Sequence, residues 1–160
     1  MELTQAVAQQ FFSYDPDEGV LRWRVSRRAQ SQAGDTAGSM SNGARQVEFF
    51  GRAYLAHRII WLYMTGSWPK QMIDHINGVR DDNRWCNLRD VSRTVNGNNR
   101  REPGTHNTSG FLGVTKHRNR WRAQIKANGR NNVLGVFDTP EDAHDAYVRA
   151  KRRLHDGYTI

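Results

Sequence analysis

Residues 72–100, MIDHINGVRDDNRWCNLRDVSRTVNGNNR, contain closely spaced Asp, His and Asn side chains. A short apolar run ends at Asp74 and His75, a polar turn follows, and a second extended piece opens at Asn87. A helical segment then carries Asn96. This order predicts strand, loop, strand and helix, an arrangement that can bring Asp74, His75 and Asn96 into one pocket.

The residue types in this stretch are suited to hydrolysis of a phosphodiester. His75 has an imidazole whose ordinary pKa of about 6.5 allows it to act as a general base near neutral pH. Asp74 and Asn96 offer the hard oxygen ligands that Mg2+ prefers, and the Asn87 amide can hold a loop by bonding to backbone groups. Taken singly, each of these residues also fits ordinary turn or capping chemistry.

Composition favours a polyanionic partner. The 160 residues include 24 Lys+Arg against 16 Asp+Glu, a formal charge of +8. Nucleic acid is the first expectation and a merely solvated basic surface is the alternative. Cys86 is the single cysteine, which excludes an internal disulfide or a cysteine-rich zinc site and indicates a reducing compartment. No apolar run approaches a membrane span and no signal-peptide pattern opens the chain, so we expect an intracellular protein.

Several elements are expected before this stretch. The patterns predict a helix over 3–12, a strand ending near Trp23 and a hairpin over 46–54, with a long loop over 26–45 between them. A helix over 56–65 should end at Gly66. Its predicted buried face consists of Ile59, Ile60, Tyr63 and Met64.

Residues 54–100 closely resemble the phage-type HNH endonuclease family. In order they carry A-H-R, T-G-S-W-P, D-H-I-N, D-N, N-L-R and a closing N-x-x-N. The resemblance implies a ββα-metal fold of the HNH, or His-Me finger, type with its core at about 72–100. It also implies hydrolysis of DNA, with a nick as one outcome, and a homing type of endonuclease whose setting would be the cytoplasm of a bacterial host.

The same resemblance assigns roles by position. His75 matches the histidine that activates water, and Asn87 matches the central asparagine. Asp74 and Asn96 match the pair that binds one divalent ion, Mg2+ or Mn2+, and asparagine stands at 96 where many relatives have histidine. Two further asparagines, Asn83 and Asn99, are expected to support the site.

A second domain follows a polar linker. We expect an N-terminal lead-in and nuclease domain over 1–100, a linker over 101–109 and a domain over 110–160. The stretch RWRAQIK alternates apolar and polar residues and, with FLGVTKHR and NNVLGVFD, predicts three antiparallel strands. A helix should start after Thr139 and bury the face made by Ala143, Ala146, Tyr147, Ala150 and Leu154. The fold class is therefore α+β.

Residues 109–157 resemble an AP2 DNA-binding domain. The matching motifs are G-V, W-R-A-x-I, L-G-x-F and T-x-E-x-A with a later A-Y. The resemblance implies a three-stranded antiparallel sheet packed on one helix, with the sheet laid in the major groove of double-stranded DNA. The candidate DNA-binding residues are Thr115, Lys116, His117, Arg118, Arg120, Arg122, Gln124, Lys126 and Arg130.

The expected function is a metal-dependent DNA endonuclease with a preferred site. One alternative is a DNA-binding regulator of the AP2 type whose HNH part is an inert scaffold. A third class, an RNA-binding or RNA-cleaving protein, is less favoured because Trp121 is expected to face inward and leaves no base-stacking platform. We expect a monomer, with a dimer as the alternative, and neither a membrane nor a disulfide-linked partner.

Overall fold

The computed structural model describes residues 2–27 and 31–155, and the chain divides into two compact units, Met1–Arg93 and Thr94–Ile160. Both units mix helices and antiparallel sheets. The α+β composition expected from the sequence is confirmed. The unit boundary falls within the first turn of the third helix.

The first unit begins with a helix and two small sheets. Helix α1 is followed by a hairpin of β1 and β2, and then by a sheet in the order β3, β4, β5. The bounds are α1 Gln5–Phe11, β1 Phe12–Asp15, β2 Val20–Trp23, β3 Ser39–Ser41, β4 Ala44–Phe49 and β5 Arg52–Leu55.

Two of these strands were not predicted. β1 pairs with β2, from Phe12 opposite Trp23 to Asp15 opposite Val20, and so turns the expected single strand into a hairpin. β3 lies inside the segment 26–45 that was predicted to be a loop. It forms because its backbone pairs with β4, a tertiary contact that a run of small polar residues does not reveal.

Helix α2, Ala56–Thr65, has the predicted bounds and ends at Gly66, whose φ of 80° is the left-handed conformation of a C-cap. Ile59 and Ile60 are buried as predicted. Met64 is not, because its side chain is 38% exposed in the last turn, and Leu62 is buried instead.

Aromatic side chains dominate the core of the first unit. Phe12 lies 4.6 Å from Trp23 and 5.5 Å from Phe49, measured between ring centroids. All three are buried, and a fully buried side chain of this kind contributes roughly 2 kcal/mol. α2 and the β3 to β5 sheet are held by this core, which gives the first turn of α2 a fixed position.

Residues 72–91 contain a two-stranded ribbon. β6, Met72–His75, pairs antiparallel with β7, Leu88–Val91, and α3, Arg93–Asn98, follows. Asn87 does not open the second strand as predicted. It closes a short 3-10 turn, Trp85–Asn87, because its side chain turns back into the loop between the strands.

The second unit is a three-stranded antiparallel sheet with one helix. β8 is Val114–His117, β9 is Arg120–Ala127, β10 is Arg130–Phe137, and α4 is Pro140–Leu154. The sheet order is β10, β9, β8. The side chain of Thr139 caps α4 by accepting a hydrogen bond from the backbone N–H of Asp142, 3.2 Å away.

The helix covers one face of this sheet through Val114, Ala123 and Ala143. One part of its predicted apolar face is wrong, because Leu154 is 40% exposed. Lys151 is buried instead, and its ammonium donates a hydrogen bond to the backbone carbonyl of Arg100, 2.5 Å away. The last turn of α4 is therefore held by a polar contact.

Candidate active site

Asp74 and His75 are the last two residues of β6, and both side chains are buried, at 5% and 6% exposure. The antiparallel register places Asp74 opposite Arg89 and His75 opposite Leu88. Successive residues of a strand point to opposite faces, so the two side chains leave the ribbon on different sides.

The imidazole of His75 is oriented by Asn83. The Nε2 atom of His75 lies 3.0 Å from the Oδ1 atom of Asn83, while the amide nitrogen of Asn83 is directed to the carbonyl of Asp81 at 3.4 Å. An amide oxygen only accepts, so Nε2 must carry the hydrogen and the neutral ring has its lone pair on Nδ1. A general base needs an unprotonated ring nitrogen, and in this tautomer that nitrogen is Nδ1.

Asn83 is in turn held by the β1 to β2 hairpin. The Tyr14 hydroxyl donates to the Asn83 carbonyl at 2.7 Å, and the Trp85 N–H donates to the Pro16 carbonyl at 3.0 Å. Burial, and then the negative charge of Asp15, raises the pKa of Tyr14 above its ordinary value, so the hydroxyl stays a donor.

Gly19 allows the hairpin to lie this close to the loop. Its φ is 74°, and a Cβ at this position would overlap the backbone of Asn83 and Arg84. The β1 to β2 hairpin therefore helps to hold the candidate site in place.

The Asn87 side chain braces the loop between β6 and β7. Its Oδ1 accepts from the N–H of Asn77 at 2.9 Å, and its Nδ2 donates to the Asp82 carbonyl at 2.7 Å and to the Asn77 Oδ1 at 3.0 Å. Hydrogen bonds from Arg84 lower the pKa of Asp82 to about 2, so that carboxylate stays charged at this end of the loop. All these contacts of Asn87 lie within the loop, as an orienting role requires.

Asp74 forms an ion pair that the sequence did not reveal. Both Nε and Nη2 of Arg89 donate to the Oδ2 atom of Asp74, at 2.9 and 2.6 Å. Arg89 belongs to the N-L-R motif, and the strand register that places it opposite Asp74 could have been deduced from the hairpin. The pair fixes the carboxylate and offsets its charge.

The donor chemistry of Asp74 suits a hard divalent ion. Among residues 2–27 and 31–155, no group of three or more His, Cys, Asp and Glu side chains could hold a metal. One buried carboxylate and one amide oxygen suit Mg2+ or Mn2+, which often take their remaining ligands from water and phosphate. The Asp74 carboxylate is therefore a suitable protein ligand for such an ion.

The structure brings Asp74, His75, Asn83 and Asn87 together in the first unit, around the ribbon and its loop. Asn96 and Asn99 lie at the end of α3 and just beyond it, in the second unit, where Asn99 is buried. The joint binding of a metal by Asp74 and Asn96 remains a prediction.

A second histidine lies next to His75. The His57 ring, on the first turn of α2, is 5.1 Å from the His75 ring between centroids, and the two planes meet at 78°. Burial, and then the neighbouring His75 and Arg58, lowers the pKa of His57 to about 4. His57 is therefore neutral near pH 7. Its place in the A-H-R motif was visible in the sequence, but its contact with His75 was not.

In the second unit, one face of the sheet is rich in polar and basic residues. Cα pairing places Thr115 beside Arg122, His117 beside Arg120 and Lys126 beside Asn131, on the face opposite Ala123. A guanidinium nitrogen of Arg122 contacts the Nδ1 atom of His117, and Arg120 donates to Asp138 at 2.7 Å. Gln124 shares this face, and Arg118 occupies the β8 to β9 turn with a φ of 55°.

Two predicted members of this set lie elsewhere. Lys116 pairs with Trp121 and Arg130 pairs with Ala127, so the register assigns both to the face that α4 covers. Both side chains are exposed at the margin of the sheet. The physical reason is the two-residue period of a strand, which gives neighbours such as Thr115 and Lys116 opposite directions.

None of the described helices is long and apolar enough to cross a membrane. Comparison with known proteins gave one family: residues 54–98 match the model of the HNH endonuclease family. No significant match was found among curated proteins or among solved structures. The matched segment contains α2, the ribbon and its loop. The match over residues 54–98 suggests a nuclease, and HNH nucleases commonly use a divalent metal.

Proposed function

We propose that this protein is a metal-dependent DNA endonuclease of the homing type, which cuts at a preferred site. The observation that carries the proposal is the bond from His75 Nε2 to Asn83 Oδ1 inside the HNH segment. That bond leaves Nδ1 as the basic atom of the neutral ring. The preference for one site is assigned to the second unit.

In the proposed reaction, Nδ1 of His75 takes a proton from a water molecule. The resulting hydroxide attacks the phosphorus, a new P–O bond forms, and the bond to the leaving oxygen breaks. Asn83 holds the ring, Asn87 holds the loop, and Arg89 fixes the carboxylate of Asp74. A divalent cation held by Asp74 and Asn96 would stabilise the negative charge on the phosphate and on the leaving oxygen.

The second unit would position the nuclease on DNA. Its open sheet face carries Arg120, Arg122 and Lys126, and a major groove is wide enough for such a β-ribbon. We propose an AP2-like domain over 110–160, joined by a linker over 101–109 to the nuclease domain over 1–100. Contacts to phosphates are favoured over base reading, because the basic side chains are long and exposed or half-buried.

The test is cleavage of supercoiled plasmid with Mg2+ or Mn2+, with and without EDTA. We compare the wild type with His75→Ala and with His106→Ala, a matched change of an exposed histidine. We expect EDTA to abolish cleavage, His106→Ala to cleave normally, and His75→Ala to lose about 100-fold or more while still binding DNA. Nicked circles should precede linear DNA, because the described residues of each chain contain one such site.

Equal behaviour of wild type and His75→Ala, with DNA binding intact in both, would reject the nuclease. It would leave a DNA-binding regulator with an inert HNH scaffold as the function.

A further inference from the structure

An apolar side chain of the second sheet is exposed to solvent. Val133 of β10 is 62% exposed and pairs with Gln124 of β9. Cross-strand partners point to the same side of a sheet, so both side chains lie on the open face, opposite Ala123 and α4. The core of this unit contains Leu134, the next residue of β10, instead. The position of Val133 is therefore not explained by packing.

A β-bulge places a second valine on the open face. The register of β10 shifts between Val133 and Gly135, because one extra residue, Leu134, stands between the two pairs. Without the extra residue, the two-residue period of a strand would direct Val136 toward α4. With it, Val136 pairs with Arg122, which belongs to the open face. The bulge therefore gives the open face two valines instead of one.

Glutamine and valine match the groups that an A·T pair presents in the major groove. Adenine offers the N6 amino donor and the N7 acceptor, which a glutamine amide binds with two hydrogen bonds. Thymine offers a C5-methyl group for apolar contact, whereas a G·C pair has no methyl group there. The side-chain amide of Gln124 is half-buried and makes no hydrogen bond within the described residues, 2–27 and 31–155. It is therefore available to a base.

Basic side chains lie on both sides of Gln124 on the same face. Arg122 and Lys126 are its neighbours along β9, each about 7 Å away, which is roughly two base-pair steps. The Cβ atoms of cross-strand partners such as Gln124 and Val133 are about 5 Å apart. Charge complementarity thus selects a polyanion for this face. A duplex held by the two charges lies across the uncharged pair between them.

We propose that Gln124 and Val133 form a specificity-determining pair that recognises an A·T base pair in the major groove. The amide of Gln124 binds adenine, and the methyl groups of Val133 contact a thymine methyl group. The basic neighbours bind phosphates and supply affinity without preference. This inference rests on the DNA-positioning role of the second unit in the proposed function, and not on cleavage.

The first experiment selects sites from a library of randomised duplex DNA with the full-length protein, in EDTA so that cleavage does not interfere. We expect the wild type to enrich an A·T pair over G·C at one position by at least about fivefold. Gln124→Ala should abolish that enrichment, and Val133→Ala should reduce it. Asn132→Ala and Val25→Ala should keep it. Asn132 is an exposed amide on the α4 side of the sheet, and Val25 is a 37% exposed valine of the first unit.

The second experiment removes single groups from the bases of the selected duplex and measures binding by fluorescence anisotropy. Replacing thymine by uracil removes the methyl group and should weaken wild-type binding about fourfold, without weakening Val133→Ala further. Replacing adenine by 7-deazaadenine removes the N7 acceptor and should weaken the wild type about fivefold, without affecting Gln124→Ala. The wild-type measurements remain decisive even if a variant fails to fold.

Three outcomes would overturn the proposal. The first is a wild type that enriches no base pair, or enriches G·C alone. The second is equal binding of the wild type to the natural duplex and to both modified duplexes. The third is a wild type that does not bind duplex DNA, which would also reject the positioning role of the second unit. A wild type that binds with the A·T preference but does not cleave plasmid supports the proposal and rejects the nuclease alone.

Discussion

The two units differ in how far their polar side chains are exposed to solvent. In the first, Asp74, His75, Asn83 and Asn87 are all at most 6% exposed and are fixed by hydrogen bonds. In the second, the basic side chains of the open sheet face are exposed or half-buried, and Lys151 is the buried cation of the described part.

Under the proposed function, this difference separates chemistry from binding. A group that moves a proton needs a fixed position and an environment shielded from water, whereas a group that contacts phosphate needs access and charge. Changes in the first unit should therefore alter kcat, and changes on the sheet face should alter affinity. The following variants test that division, in order of decreasing expected effect.

Asn87→Ala should give the largest effect. It removes the three side-chain hydrogen bonds of Asn87 to the loop and leaves the Asp82 carbonyl without this donor. We expect kcat in the plasmid assay to fall about 100-fold, with DNA affinity within twofold of the wild type. A fall in affinity that matches the fall in kcat would contradict the division between the units.

The double variant Arg122→Ala and Lys126→Ala should lower DNA affinity and leave kcat almost unchanged. DNA affinity should fall at least tenfold and the salt dependence of binding should weaken by about two counterions, because two phosphate contacts are lost. Fluorescence anisotropy at several salt concentrations measures both quantities.

The matched control for this pair is Lys116→Ala with Arg130→Ala, which removes the same charge from the other face of the same sheet. We expect the control to bind within about twofold of the wild type. Equal losses in the two double variants would show that only net charge matters.

Gly19→Ala tests whether the β1 to β2 hairpin affects catalysis. A Cβ would strain a backbone with φ of 74° and would push against Asn83, which orients His75. We expect kcat to fall roughly 10-fold without loss of DNA binding. Gly51→Ala is the control, since its φ is also 74° but no atom stands within 4 Å of its Cβ. If the two variants behave alike, backbone strain and not the contact with Asn83 is responsible.

The smallest expected effect is that of pH: acid should lower the free energy of unfolding of the first unit. His57 takes up a proton at a pKa of about 4 when folded and at its ordinary value of 6.5 when unfolded. The unfolded state therefore binds more protons as the pH falls through this window, and stability is lost. From pH 7 to pH 5.5 this loss should be about 1 kcal/mol, measured by urea unfolding.

His57→Phe should remove this part of the pH dependence, while His106→Ala should keep it. An identical slope in wild type and His57→Phe would show that His57 is not the group responsible.

Periodicity and turn residues were enough to predict α2, the ribbon strands and the second sheet, because each has a local signal. Helix α2 ends at Gly66 as expected, and Thr139 caps α4. The positions of β1 and β3 depend on pairing with distant strands, and single segments do not encode that pairing.

The candidate site was predicted as a set of residue types, but not as a set of contacts. The Asp74 to Arg89 ion pair and the contact between His57 and His75 arise from the register of a hairpin and from the packing of a helix. Lys116 and Arg130 joined the DNA-binding candidates because of their charge, and the strand register assigns both to the face that α4 covers.

The bond from Tyr14 to Asn83 joins residues that are 69 positions apart in the chain. Contacts of such large sequence separation form late in folding, since a long stretch of chain must first be closed into a loop. A chain still being synthesised can form α1 and the β1 to β2 hairpin early, but it has no oriented base until the loop of residues 76–87 reaches them. The oriented state of His75 should therefore arise in one step, near the end of folding of the first unit.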